Sequence, residues 1–103
     1  MTNQNRILTI EEISAIIKPI AESYGVGIVS LFGSYARGQA TIDSDIDLRI
    51  INGGALRGYV RLAGFRRELE ENLCKNVDVI PTDALSESFL SEIRAEEIVI
   101  YAS

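Results

Sequence analysis

Apolar residues recur along this chain with two different periods, and the switches between them mark out its elements. From 9 to 25, Ile10, Ile13, Ile17, Ile20 and Tyr24 form one stripe at helical spacing. Thr9 and Glu12 stand at capping-box spacing ahead of it, and Gly25 is a natural stop. Pro19 interrupts the stripe and predicts either a kink or an earlier end. The glycine-bounded "GIVSLF" (27–32) reads as a buried strand, "GSYARG" (33–38) as a turn or a single helical turn, and "QATIDS" (39–44) as a polar loop. A second strand, "DIDLRII" (45–51), is ended by "NGG". Residues 55–74 predict a second helix with Leu62, Phe65, Leu69 and Leu73 on one face. "NVDVIP" (76–81) is a third strand closed by Pro81. A third helix over 84–96 would turn Leu85, Phe89 and Ile93 inward, and 97–103 forms a last short strand.

The resulting order, α-β-(turn)-β-α-β-α-β, predicts an α/β (α+β) fold: a mixed sheet of about four strands flanked by helices. A chain of 103 residues is one domain. At this size folding buries roughly 60–68% of the unfolded chain's surface, enough for one modest core. The domain is expected over 9–103, with 1–8 a flexible N-terminus. The 15 acidic residues outnumber 10 basic ones, for a net charge of -5. That argues against broad, sequence-independent nucleic-acid binding, which needs a basic surface, but not against a nucleotide. The chain has no histidine, so Ser-His-Asp and Cys-His catalysis and His-ligated zinc are excluded within it. Its one cysteine, Cys74, cannot form an internal disulfide, which is compatible with a cytoplasmic location, and is expected as a small buried apolar group. The first residues carry no signal pattern and no apolar run approaches ~18 residues, so no membrane span is expected.

Three carboxylates lie inside apolar runs. Asp45 and Asp47 are two apart in a strand, so they project to one side about 6–7 Å apart while Ile46 and Leu48 face the core. Paired carboxylates repel and lose hydration if buried, and a hard divalent cation removes both penalties. Asp78 lies in the next strand and can join them if the two strands are neighbours. Two aspartates on a solvated edge strand would look the same in isolation; three acids converging on a sheet are what a two-metal site needs. Gly33-Ser34 follows the first strand directly, where a glycine admits close approach and a hydroxyl and free amides suit a phosphate; Ser34 is equally suited to cap an ordinary turn. Arg37 is placed either to reach a phosphate or to neutralise Asp43 or Asp45. Tyr35 offers a ring for stacking on a base, and Tyr101 reads as packing. Arg57, Arg61, Arg66 and Arg67 read as a solvated face balanced by Glu68, Glu70 and Glu71.

Together these residues carry a resemblance. The stretch Gly33-Ser34-Tyr35-Ala36-Arg37-Gly38, then Ala40, then Ser44-Asp45-Ile46-Asp47-Leu48, matches G-S-x-A-R-G-x-A-x-x-x-S-D-x-D-L without departure. This pattern resembles the minimal nucleotidyltransferase (MNT) branch of the DNA polymerase beta-like nucleotidyltransferase superfamily. "VDVIP" fits the strand of its third carboxylate, and "IRAEEIVIYAS" its terminal helix and strand. The resemblance implies that Asp45, Asp47 and Asp78 hold two Mg²⁺ ions and that Asp78 helps deprotonate the acceptor. It implies that Gly33 and Ser34 hold the β- and γ-phosphates of ATP, with Arg37 and Ser44 also at the nucleotide.

It also implies a partner. Minimal members pair with a small helical HEPN ribonuclease toxin, and those characterised as antitoxins transfer AMP from ATP to a tyrosine of that toxin. The first expectation is therefore a protein adenylyltransferase antitoxin. An antitoxin that acts by covering its partner, with an idle site, is the second. The third is a nucleotidyltransferase for a small molecule, whose pocket dimerisation would have to build. Self-association stays open.

Overall fold

The computed structural model describes residues 6–52 and 58–103. Along the chain run α1 (Ile10–Tyr24), β1 (Ile28–Phe32), a single-turn helix α2 (Gly33–Ala36), β2 (Ile46–Ile51), α3 (Gly58–Leu73), β3 (Val77–Pro81), a 3-10 turn (Thr82–Ala84), α4 (Glu87–Arg94) and β4 (Ile98–Ala102). The expected stop at Gly53-Gly54, the helix start at 55, Arg57 and residues 1–5 of the expected N-terminal segment lie outside the described residues.

Local chemistry accounts for α1. Thr9 Oγ1 accepts the Glu12 amide and the Glu12 carboxylate accepts the Thr9 amide, closing the capping box. Gly25 ends the helix in the left-handed region at φ 71. Pro19 does not end it: Pro19 and Ala15, whose carbonyl loses its amide partner, are both exposed, where water can replace the missing bond. Ile13, Ile17 and Ala21 are fully buried. Arg6 pairs with Glu12, and Leu8, just ahead of the expected domain start, is already part of the core.

The four strands are ordered β3-β2-β1-β4. β1 pairs antiparallel with β2 and β4, while β2 and β3, joined through α3, run parallel, so the sheet is mixed as expected. One face of the sheet presents Val29, Leu31, Ile46, Leu48, Ile50 and Val77 to Ile13 and Ile17 of α1 and Phe65, Leu69 and Leu73 of α3, and this is the core. The other face carries Phe32, Asp47 and Asp78 in one row, because Phe32 registers with Asp47 and Asp47 with Asp78. A bulge between Val29 and Ser30 offsets β4, and Ser14 Oγ donates to the Ile100 carbonyl there.

Arg49, on the site face two residues after Asp47, is only 6% exposed. Its guanidinium donates to both oxygens of Glu97 at 2.8 and 2.7 Å and to Thr82 Oγ1 at 2.9 Å. Thr82 Oγ1 in turn donates to the Ile50 carbonyl.

Three sequence expectations change. The last helix begins at Glu87 because Ser86 caps it, its hydroxyl accepting the Phe89 amide, and ends at Arg94. Leu85 is therefore outside the helix, and Ile93 alone of the expected trio is buried. Phe89 is 41% exposed and stands edge-on to Phe32. Cys74 is partly exposed and sits at φ 56, taking the left-handed position just past α3. The expected solvated face on α3 holds: Arg61, Arg66 and Arg67 are exposed and Arg66 pairs with Glu70, while Arg61 also lies over the Tyr24 ring and Arg66 donates to the Val77 carbonyl. Among the described residues, no helix is long and apolar enough to cross a membrane.

Candidate functional site

The site is assembled where β1 ends. Phe32 leads into Gly33, which takes φ 76 so that the chain can turn directly into α2 over the neighbouring strand. A Cβ on Gly33 would collide with the Asp47 carboxylate. Glycine is required here twice, by the backbone conformation and by the acid beside it. Gly33→Ala is expected to cost about 2–4 kcal/mol of stability, combining a left-handed alanine with a displaced carboxylate. Urea unfolding checks this, and Gly38→Ala is the control: it has the same positive φ, but its new methyl meets open space.

Asp47 lies on β2, half-buried, with Asp78 at the matching position of the parallel neighbour β3. Desolvation raises the Asp47 carboxyl to about 6; a hydrogen bond and charge repulsion from Asp78 and the nearby Asp45 add to this, and Arg37 opposes it. At neutral pH this is a carboxylate held against its preference, a condition that a cation relieves. Asp45 lies just ahead of β2 and is exposed. Among the described residues, no group of three or more His, Cys, Asp or Glu side chains is gathered closely enough to hold an ion as it stands. The sheet brings Asp47 and Asp78 together and leaves Asp45 at the neighbouring opening. The donors are hard oxygens and the pair is electrostatically frustrated, so the set suits a hard divalent cation rather than a soft metal.

Two depressions flank the Asp45-Ile46-Asp47 segment. One, of about 370 Å³, is lined by Gly33, Ser34, Arg37, Asp47, Phe89 and Glu96 among others. The other, of about 380 Å³, is lined by Ser44, Asp45, Glu70, Cys74 and Lys75 among others. Ser34 lines the first, and its hydroxyl has no hydrogen-bond partner among the described residues. Ser44 accepts the Thr41 amide at 2.8 Å and so fixes the loop that delivers Asp45.

Arg37 neutralises neither Asp43 nor Asp45. Its Nη1 donates to both oxygens of Glu96 at 3.2 and 3.1 Å, and its Nε donates to Gln39. The Gly33 amide also donates to Glu96, at 2.6 Å. Tyr35 is not available to a base: its ring is buried in the core, and its hydroxyl has no partner among the described residues. Tyr101 packs against the same core, as expected.

The sequence reading missed Glu96, Arg49 and Glu97. The adjacent pair Glu96-Glu97 ahead of an apolar strand was the available signal, but it looks the same as two solvated glutamates.

The family profile of polymerase beta nucleotidyltransferases matches residues 15–103. MJ0435 of Methanocaldococcus jannaschii, which carries a protein adenylyltransferase name, is 38% identical over 78 residues, spanning 76% of this chain and 83% of that one. Protein adenylyltransferase MntA of Thermococcus cleftensis is 29% identical over 98 residues, 91% of this chain and 98% of that one. A solved structure of tri-AMPylated Shewanella oneidensis HEPN toxin in complex with MNT antitoxin shares the fold, with a TM-score of 0.71 at 14% identity over 92% of this chain and 74% of that one.

Proposed function

The chain belongs to the polymerase beta-type nucleotidyltransferase family, and from that premise we propose that it transfers AMP from ATP to a tyrosine hydroxyl of a partner HEPN toxin, acting as the antitoxin of the pair. The observation that carries this reading is Asp47, paired in register with Asp78 on the neighbouring strand and sharing one depression with Ser34 and Arg37. The adenylyltransferase names of its relatives, and the AMPylated toxin bound to the Shewanella antitoxin, support extending the family activity to a protein acceptor.

In this reading Ser34 Oγ and the Arg37 guanidinium hold the β- and γ-phosphates. Gly33, with no side chain, lets the phosphate chain approach the strand end. Ser44 is a nucleotide contact on the Asp45 side. Two Mg²⁺ ions, held by Asp45, Asp47 and Asp78, would supply charge neutralisation on the phosphates and acidify the acceptor hydroxyl. The acceptor oxygen attacks the α-phosphorus as its proton passes to Asp78. The bond from that phosphorus to the α,β-bridging oxygen breaks, and pyrophosphate leaves with the electron pair. Most of the catalytic effect is positioning and charge stabilisation, which suits a chain with no histidine.

The test uses two labels and the co-expressed partner. ATP labelled at the α-phosphate should mark the HEPN protein in a Mg²⁺-dependent reaction, and ATP labelled at the γ-phosphate should not. Full neutralisation of the toxin by Asp45→Asn/Asp47→Asn, with no label transferred by wild type, would replace this reading with inhibition by binding.

A further inference from the structure

Glu96 lies just before β4, outside the motif that carries the proposed chemistry, yet it touches two parts of that motif at once. One of its oxygens takes the Gly33 amide at 2.6 Å, and both take Arg37 Nη1. Gln39 takes Arg37 Nε at 3.0 Å. The Arg37 fork is thus held through two of its nitrogens, while Nη2 has no protein partner among the described residues. The Arg37 side chain is 44% exposed, and a free arginine there would sample many rotamers. Holding it in one of them removes an ordering cost that a ligand would otherwise bear.

From this geometry we infer that Glu96 is a positioning residue: it locks Arg37 and the Gly33 turn in the conformation that receives the nucleotide's phosphate chain. The neighbouring Glu97 is anchored on buried Arg49, two residues from Asp47, so the Glu96-Glu97 segment ties the phosphate-side turn to the carboxylate strand. The inference rests on the nucleotidyltransferase reading and deepens it. The Gly33 amide is engaged by Glu96, which leaves Ser34 and Arg37 Nη2 as the direct phosphate donors.

The test is a double-mutant cycle read by calorimetry of Mg-ATP binding to wild type, Glu96→Ala, Arg37→Ala and the double variant, with Glu96→Gln alongside. Glu96→Ala is expected to weaken Mg-ATP about tenfold, and to change it by less than about twofold once Arg37 is already alanine, because the effect passes through Arg37. Glu96→Gln should recover part of the loss, since its amide oxygen can still accept from Arg37 Nη1. Inorganic triphosphate should follow the same pattern, and adenosine should be indifferent to Glu96. Additive losses would reduce Glu96 to a general stabiliser and overturn the inference. Tighter binding by Glu96→Ala would also overturn it, identifying the carboxylate as a competitor for the phosphate position. Either result leaves the nucleotide site standing if wild type binds Mg-ATP. Failure of wild type to bind would remove the site along with the inference.

Discussion

Asp47→Asn is expected to abolish AMP transfer and at the same time to stabilise the fold. The two effects have one cause. Asp47 sits half-buried against Asp78, and its carboxyl is raised to about 6, first by desolvation and then by its acidic neighbours. An acid whose pKa is higher folded than unfolded contributes most to stability when protonated. Wild-type stability should therefore fall as pH rises from about 4, the ordinary aspartate value, through about 6, and stay low above that. Asparagine keeps the shape without the charge. The stability gain of Asp47→Asn should be near zero around pH 4 and full by about pH 7, at roughly 1 kcal/mol after allowing for solvent screening of a partly exposed group. Thermal unfolding of both proteins across that range measures it. Mg²⁺ should raise the wild-type Tm at neutral pH and leave the variant's unchanged. Transfer of α-labelled AMP should fall by at least about a thousandfold, the scale expected when a charge-stabilising group is lost from a phosphoryl-transfer site. A variant that loses activity and stability together would show that Asp47 is there for packing.

Glu97→Ala is expected to destabilise the fold strongly. Arg49 is buried, and Glu97 accepts from it through both oxygens. Removing the carboxylate leaves a guanidinium in the sheet with only Thr82, among the described residues, to satisfy it. Breaking a buried pair from one side costs about 3–5 kcal/mol, a large part of the 5–15 kcal/mol that holds a typical domain together. The double change Arg49→Met/Glu97→Leu should recover most of that loss, because two apolar residues of similar volume leave no stranded charge. Urea denaturation of the three variants separates the outcomes. Equal losses for the single and the double variant would mean that the attraction itself, rather than the penalty of an orphaned charge, holds the β2–β4 region together.

The chain's own pattern determined the elements and their types. The Ile13–Ile17 stripe, the Thr9–Glu12 box and Gly25 specify α1 through interactions within a few residues. The alternation Ile46-Asp47-Leu48 specifies which side chains share a face, because the strand period is two, but Asp45, expected beside Asp47, lies just ahead of the strand at the neighbouring opening. The Gly33-Ser34 turn and the family motif were likewise legible, since both are contiguous. Helix α4 was misread for a local reason: Ser86 is a good cap, but Leu85, Phe89 and Ile93 imitate an inward stripe that would run past it.

Tertiary structure decided everything that depends on separated segments meeting. Only the β2–β3 register sets Asp78 beside Asp47 and raises that carboxyl. Only the return of β4 along β1 brings Glu96, 59 positions from Arg37, to the Gly33 amide, and Glu97 to Arg49. The physical reason is the same in each case. A carboxylate's role is set by what desolvates it and by which charges face it, and both are properties of the assembled sheet rather than of the neighbours along the chain.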